Sequence, residues 1–401
     1  MAEPAGRPFE VEFLEKLQRL LDAGEFTSTY KFAILIGLTE LVFEALPSHS
    51  MDFTTRNLAA RVARLYWPHV EKIEPRHGPG LHLPRQNRGR PAEIITRTNA
   101  VRESLVRYRT EPPTLDLLRM HSPEVYEDYL DEIEWKLIEM PLPRLQRLPS
   151  GVDEFLYSIS WDLADVEPNR RIQPAVRKHQ KARREWSRHH SDEPPPVLGG
   201  FDSRIRLKDG VRDVLSRFHW LIREVVEPRW VRMVEQLNPE ICDCPDLRER
   251  LFGAQRIPLE RVRPFVKDAQ KGRCFYCEER MTSVVVDHFI PWSKYHVDYL
   301  ENLVGAHARC NGSKSAHLPA LVHLARWCSR LEPGGRESFV FDEAAGALGW
   351  RRRPDACLAI ANQVYDQHPD HAPLWLQVGA FQREWSHIEV VSIVKKAQDW
   401  F

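Results

Sequence analysis

The sequence has no excess of either charge. Its 401 residues include 57 lysines and arginines and 57 aspartates and glutamates. This balance excludes a basic field over the whole protein. Any binding to nucleic acid therefore has to come from local basic patches.

Cysteine is sparse, and the sequence contains no long apolar run. Seven unevenly spaced cysteines in a chain of this length argue against a disulfide framework. The start, MAEPAGRPFEVEF, lacks the basic-then-apolar order of a secretory signal. The longest apolar stretch, residues 32–46, contains Glu40 and Glu44 and is too short to span a bilayer. We therefore expect a cytoplasmic protein with no membrane partner, in which paired cysteines bind metal.

Apolar residues at helical spacing dominate the chain, so we predict a mainly α fold with a small α+β domain near the C-terminus. Pro228 is expected to separate two helices, and residues 372–400 are expected to be helical. The predicted division is a helical N-terminal domain (1–110), a mixed region with a basic segment and a proline-rich linker (111–200), a helical pair (201–262), the α+β domain (263–320) and a helical C-terminal cap (321–401).

One segment, residues 170–190, is strongly basic. It carries eight arginines and lysines against the single acid Glu185, and Trp186 interrupts the charges. Basic residues with an interleaved aromatic are typical of a nucleic-acid-binding face. A solvated helix with one charged face explains the same pattern. The candidate contacts are Arg170, Arg171, Arg177, Lys178, Lys181, Arg183, Arg184 and Arg188.

Four residues have the spacing of a structural zinc site. Cys274 and Cys277 form a C-x-x-C pair, and His307 and Cys310 form a second pair about 30 residues later. Three thiolates and one imidazole are an ordinary closed tetrahedral shell for Zn²⁺. Residues spaced i, i+3 at the start of a helix share one face, so the second pair can converge on the first. We predict that Zn²⁺ holds this small domain together.

The residues between and after the zinc pairs predict a reaction centre on two strands and a helix. The β-branched run at 283–286 predicts a strand that ends at Asp287 and His288. A second strand is expected at 300–305, followed by a helix that begins near 306–309. Because imidazole titrates near neutral pH, His288 is suited to be the general base of phosphodiester hydrolysis.

A second metal, Mg²⁺ or Mn²⁺, is expected at the same centre. Asp287 supplies an anionic oxygen and Asn311 a neutral one, which leaves most of the coordination to water and phosphate, as Mg²⁺ prefers. Asn302 is expected to hydrogen-bond backbone across the loop and hold His288 in place. Lys314 is the candidate phosphate contact, as a point charge.

Taken together, these residues resemble the HNH (ββα-metal) endonuclease family, as found in bacterial proteins. The resemblance covers about residues 272–318 and rests on C-x-x-C at 274–277, Asp287-His288, Pro291, Asn302-Leu303, Cys310-Asn311 and Lys314. It implies cleavage of DNA with a divalent metal and His288 as general base. Two positions depart from the family pattern: Asn311 replaces the final histidine, and His307 stands where cysteine is more usual.

The leading hypothesis is a metal-dependent DNA endonuclease with a role in restriction or phage defence. The alternative is a non-catalytic zinc module that binds nucleic acid or a partner protein, with Asp287 and His288 as structural polar residues. A third hypothesis is a defence effector that a partner protein or small ligand activates. The sequence does not distinguish DNA from RNA, nicking from double-strand cleavage, or one target site from another.

Overall fold

The computed structural model describes residues 8–23, 27–45, 52–74, 80–89, 91–106, 114–148, 151–152, 154–161, 170–190, 193–241, 244, 246–253, 259–296 and 298–401. The chain forms two compact units. The first comprises Met1–Val42 and Ser50–Gly253, and the second Phe43–His49 and Ala254–Phe401. Most described residues are helical and the sheets are small, which confirms the predicted mainly α fold.

Helices make up most of the first unit. They are α1 (Phe9–Ala23), α2 (Tyr30–Phe43, whose last residue belongs to the second unit), α3 (Thr55–Tyr66), α4 (Glu93–Val106), α5 (Leu115–His121), α6 (Pro123–Glu139), α7 (Pro141–Arg144), α8 (Gln173–His189), α9 (Val211–Arg217) and α10 (His219–Leu237).

The start of α3 shows how local sequence sets these bounds. The Thr54 side chain accepts a hydrogen bond from the backbone of Asn57, and the Asn57 side chain accepts one from the backbone of Thr54. This reciprocal cap satisfies two amide groups that a helix start leaves without intrahelical partners. On α3 the buried face includes Leu58, Val62 and Tyr66, at intervals of four residues.

The predicted break at Pro228 is wrong. The helices α9 and α10 meet at Phe218, and Pro228 lies inside α10. The buried residues Ile222, Val226 and Trp230 continue through the proline at intervals of four. Burial of this continuous stripe therefore offsets the cost of an interior proline, about 3 kcal/mol.

The strands of the first unit are short. They are β1 (Asp52–Thr54), β2 (Arg147–Leu148), β3 (Gly151–Val152), β4 (Tyr157–Ser158), β5 (Val197–Leu198), β6 (Phe201–Asp202) and β7 (Arg204–Leu207). A three-stranded antiparallel sheet has the order β1-β7-β4, and two ribbons pair β2 with β3 and β5 with β6.

The second unit surrounds a strand–strand–helix core. Its strands and helices are α11 (Leu259–Ala269), β8 (Val285–His288), β9 (Leu303–Ala306), α12 (Ala308–Lys314), α13 (Leu321–Ser329), α14 (Arg336–Leu348), α15 (Pro354–Asp366), β10 (Leu374–Gln377), β11 (Ala380–Gln382) and α16 (His387–Gln398). The antiparallel register of β8 and β9 pairs Val285 with Ala306 and His288 with Leu303. This is the predicted ββα arrangement.

The prediction of helix throughout residues 372–400 is wrong in its first part. Strands β10 and β11 form an antiparallel hairpin there, and Gly379, with φ of 77°, lies at its turn. The amide of Trp375 donates to Leu318 and its carbonyl accepts from Ala320. Backbone pairing with a distant segment therefore decides the conformation, which local spacing does not reveal.

The structure describes two compact units where the sequence predicted five segments. The finer boundaries stay predictions. Among the described residues, no helix combines the length and the apolar character that a membrane span requires.

Candidate metal centre and active site

The predicted zinc ligands converge. Cys274 and Cys277 lie on a tight turn in which the amide of Cys274 donates to the carbonyl of Glu279 and the amide of Glu278 donates to Cys274. His307 directly precedes α12, and Cys310 lies in its first turn. The four ligand atoms all lie within 4.8 Å of one another. Ligands about 2.3 Å from a tetrahedral Zn²⁺ are roughly 3.8 Å apart, so this cluster has the right size.

The hydrogen bonds of His307 orient its ring for metal binding. Nε2 lies 3.2 Å from the carbonyl oxygen of Arg280, and Nδ1 lies 3.3 Å from the sulfur of Cys277. A carbonyl only accepts, so Nε2 carries the proton and Nδ1 presents its lone pair to the cysteines. Histidines that bind zinc commonly donate their second nitrogen to a carbonyl in this way.

The cysteine thiols shift one another's pKa values. Burial, together with the nearby Cys274 and Cys277 sulfurs, raises the pKa of Cys310 to about 12. Burial opposes ionisation of Cys277 as well, but hydrogen bonds with the Glu279 backbone and the His307 ring lower its pKa overall. Three sulfurs this close repel one another as thiolates, and a bound cation removes that repulsion. The residues therefore fit Zn²⁺ in type, number and spacing.

Asp287 and His288 end β8, as expected, and the structure gives Asp287 two partners. The hydroxyl of Tyr276 donates to Asp287 Oδ2 over 2.6 Å, and Lys314 Nζ lies 3.1 Å from the same oxygen. Burial and the adjacent Asp287 carboxylate hold the pKa of Tyr276 well above its usual value, so its hydroxyl stays protonated and donates. The sequence does not reveal this role, because Tyr276 lies as a spacer between two predicted zinc ligands.

Lys314 requires a correction. The sequence predicted a phosphate contact, but the side chain is fully buried. Its ammonium donates to the carbonyl oxygen of His288 over 2.8 Å and pairs with Asp287. Burial lowers the pKa of Lys314, while Asp287 opposes that shift. Lys314 therefore supports the backbone at Asp287 and His288.

A carboxylate that residue spacing does not reveal holds the His288 ring. Asp298 Oδ1 lies 2.5 Å from His288 Nε2, and only 2% of the Asp298 side chain is exposed. A carboxylate oxygen accepts, so in the neutral imidazole Nε2 carries the proton and Nδ1 keeps its lone pair. The only sequence signal was an acid in the loop that follows His288.

Asn302 spans the loop in the expected manner. Its Oδ1 accepts from the amide of Ile290 over 2.7 Å, and its Nδ2 donates to the carbonyl of Ile290 over 3.0 Å. Ile290 is two residues after His288. Asn302 thus fixes the backbone where the loop leaves β8, while its catalytic importance stays a prediction.

Asn311 is half-buried on α12, next to the zinc ligand Cys310. A carboxylate has lone pairs for about four contacts, so two hydrogen-bond partners leave Asp287 able to bind a cation. The carboxylate of Asp287 and the amide of Asn311 are hard oxygen donors, which fit Mg²⁺ or Mn²⁺ in kind. Their coordination of a catalytic metal stays a prediction.

The basic segment divides into two groups. Arg183 and Arg184 are occupied by acids: Arg183 pairs with Glu134 at 2.8 Å and with Asp131, and Arg184 pairs with Asp128 at 2.7 Å and with Asp131. Arg183 is buried, so the prediction that it contacts nucleic acid is corrected. Arg184 is half-buried, so the same prediction is weakened for it. The exposed members are Arg171, Arg177, Lys178, Lys181 and Arg188, of which Arg188 also pairs with Glu185 at 2.9 Å. Arg170 lies in the short turn before α8.

Four cations of α8 line one groove. Arg177, Lys181, Arg184 and Arg188 recur at helical spacing and border a pocket of about 320 Å³. Asp131, Gln180 and Glu185 complete its lining. Because its lining has four cationic and two acidic side chains, the groove has a net positive charge.

Residues 274–320 match the family model of the HNH endonucleases. The match covers about an eighth of the chain and contains the four cluster residues, Asp287, His288, Asn302, Asn311 and Lys314. It confirms the resemblance that the sequence indicated. No curated protein and no solved structure gives a significant match.

We predict that Cys310→Ser lowers the zinc content from one ion per chain to near zero. Zinc binding to such a site is coupled to folding, so the variant should lose stability on the order of several kcal/mol. Elemental analysis and urea unfolding measure the two effects. Cys328→Ala is the matched control, because Cys328 is equally buried but lies outside the cluster. Full zinc retention by Cys310→Ser would contradict the assignment.

Proposed function

We propose that the protein is a metal-dependent endonuclease that hydrolyses phosphodiester bonds in DNA. The observation that carries the proposal is the His288–Asp298 pair at the end of β8, within a segment that matches HNH endonucleases. A histidine with one nitrogen on a buried carboxylate is oriented to accept a proton at the other.

His288 is the general base in this proposal. Its Nδ1 takes a proton from water, and the water oxygen attacks phosphorus as the bond to the leaving oxygen breaks. The leaving oxygen takes a proton from solvent. Asp298 holds the ring in one tautomer and stabilises the imidazolium that forms. Asn302 keeps the backbone after His288 in place through its two hydrogen bonds to Ile290.

Asp287 and Asn311 are the proposed ligands of Mg²⁺ or Mn²⁺. When bound, such an ion polarises the scissile phosphate and stabilises the developing charge on the leaving oxygen. Tyr276 and Lys314 fix the Asp287 carboxylate from the protein side. Cys274, Cys277, His307 and Cys310 hold Zn²⁺, which stabilises the fold and takes no part in the chemistry.

We further propose that the exposed cations of α8 contact the DNA backbone. Arg177, Lys181 and Arg188 share one face of the helix and line the positive groove. Phosphate contacts of this kind position a protein on DNA without reading its sequence. A cytoplasmic location, where cysteines stay reduced, suits the Cys₃His site. Restriction or phage defence, and activation by a partner protein or ligand, also belong to this proposal.

One observation favours a second function, a zinc module that binds nucleic acid without cleaving it. The Asp287 carboxylate already pairs with Lys314, as it would in a purely structural ion pair. The two functions differ in one result. The enzyme cleaves DNA when a divalent metal is added, whereas the module binds DNA and leaves it intact.

We predict that His288→Ala lowers plasmid cleavage by about 10²–10⁴-fold, the usual contribution of a general base. Gel analysis of nicked and linear plasmid in the presence of Mg²⁺ or Mn²⁺ measures the rate. His371→Asn is the control, because His371 is exposed in the same unit and asparagine tolerates its φ of 64°. Cleavage by His288→Ala at the wild-type rate would refute the base assignment.

We also predict that replacing Arg177, Lys181 and Arg188 together with alanine weakens DNA binding. Each lost phosphate contact should reduce the slope of log K against log salt by about 0.9. Fluorescence anisotropy with a labelled duplex at several salt concentrations measures both effects. The control replaces Arg19, Arg97 and Arg217, three exposed arginines of the same unit, and changes the net charge equally. Equal loss in both triple variants would mean that α8 has no specific role.

A further inference from the structure

We infer that Glu44 is a positioning residue for His288, although it lies far outside the segment that matches HNH endonucleases. The inference rests on the proposed function. Glu44 directly follows α2, yet it belongs to the second compact unit together with Phe43. Only 4% of its surface is exposed. A buried carboxylate is costly unless it is well paired, so its partners indicate its role.

Two partners of Glu44 lie in the loop that follows β8. The hydroxyl of Tyr295 donates to Oε1 over 2.7 Å, and the hydroxyl of Tyr299 lies 2.9 Å from Oε1 and 3.0 Å from Oε2. Arg353 adds an ion pair at 3.7 Å. The ring of Phe43 stacks on that of Tyr295, with centroids 5.2 Å apart. Two adjacent residues, Phe43 and Glu44, thus hold the loop through packing and hydrogen bonds.

This loop also carries Asp298. Tyr299 is the next residue, so its hydrogen bonds to Glu44 fix the backbone beside Asp298, whose carboxylate fixes the His288 ring. The second anchor of the loop, Asn302, acts at Ile290, at its beginning. Glu44 therefore holds the part of the loop that Asn302 does not reach.

The carboxylate of Glu44 accepts from two buried hydroxyls of this loop, those of Tyr295 and Tyr299. Its removal takes away that acceptor, which is unfavourable for buried groups, and the two side chains then shift toward other partners or water. A displaced Tyr299 carries Asp298 with it and leaves His288 in the wrong orientation for proton transfer. Such misplacement costs rate at the chemical step while leaving DNA binding intact.

The test compares the full-length, zinc-loaded wild type with Glu44→Ala and with Tyr299→Phe, which removes one hydroxyl and keeps the ring. We expect faster amide hydrogen exchange in peptides covering residues 289–299 and unchanged exchange in the turn at 274–280. We also expect kcat to fall about tenfold or more in Glu44→Ala, with KM and zinc content unchanged. Tyr299→Phe should give a smaller change of the same kind, and it keeps the test open if Glu44→Ala fails to fold.

Val394→Ala is the control for a simple loss of stability. Val394 is fully buried on α16 in the same unit, and its truncation leaves a cavity without touching the hydrogen bonds of Glu44. Unchanged exchange in the loop of both test variants, or the same loop change in Val394→Ala, would overturn the inference. If the wild type cleaves no DNA, the proposed function fails, and the exchange of the loop still decides the structural role of Glu44.

Discussion

The structure of the second unit depends on the convergence of four side chains from two distant places in the chain. Cys274 and Cys277 come from a turn before β8, and His307 and Cys310 come from the start of α12. Closing this loop of more than 30 residues costs conformational entropy, which a metal bound to all four ligands offsets. The same closure fixes the start of α12, and Lys314 at the end of that helix bonds to Asp287 and to the carbonyl oxygen of His288. The cluster and Lys314 therefore support the part of the fold that carries the predicted catalytic residues.

Around that closure, the site is arranged in layers of support. Tyr276 and Lys314 hold Asp287, Asp298 holds the His288 ring, and Asn302 holds the backbone at Ile290. Each support is buried, so its hydrogen bonds are less exposed to competition from water. Precise chemistry needs such fixed geometry, because a displacement of about 1 Å can cost 10²-fold in rate.

The sequence was informative where chemistry and spacing coincide. Residue types at fixed intervals predict the zinc ligands, the end of β8 at Asp287 and His288, and the loop-spanning Asn302. Contacts between distant segments were not accessible in this way. No distinctive spacing marks Asp298, Tyr276 or Glu44. The pairing of Arg183 and Arg184 with acids of α6 depends on tertiary packing. The hairpin of β10 and β11 was missed because its pairing with residues 318–320 overrides local periodicity.

In the proposed function two metals have separate roles: zinc holds the fold, and a second divalent ion serves the cleavage of DNA. The most direct measurement is plasmid cleavage by protein dialysed into metal-free buffer, titrated with MgCl₂ while its zinc content is monitored. We expect one zinc per chain throughout, no cleavage before Mg²⁺ is added, and a rate that rises and saturates with Mg²⁺. Full activity with zinc alone, or no cleavage at any concentration of Mg²⁺ or Mn²⁺, would contradict it.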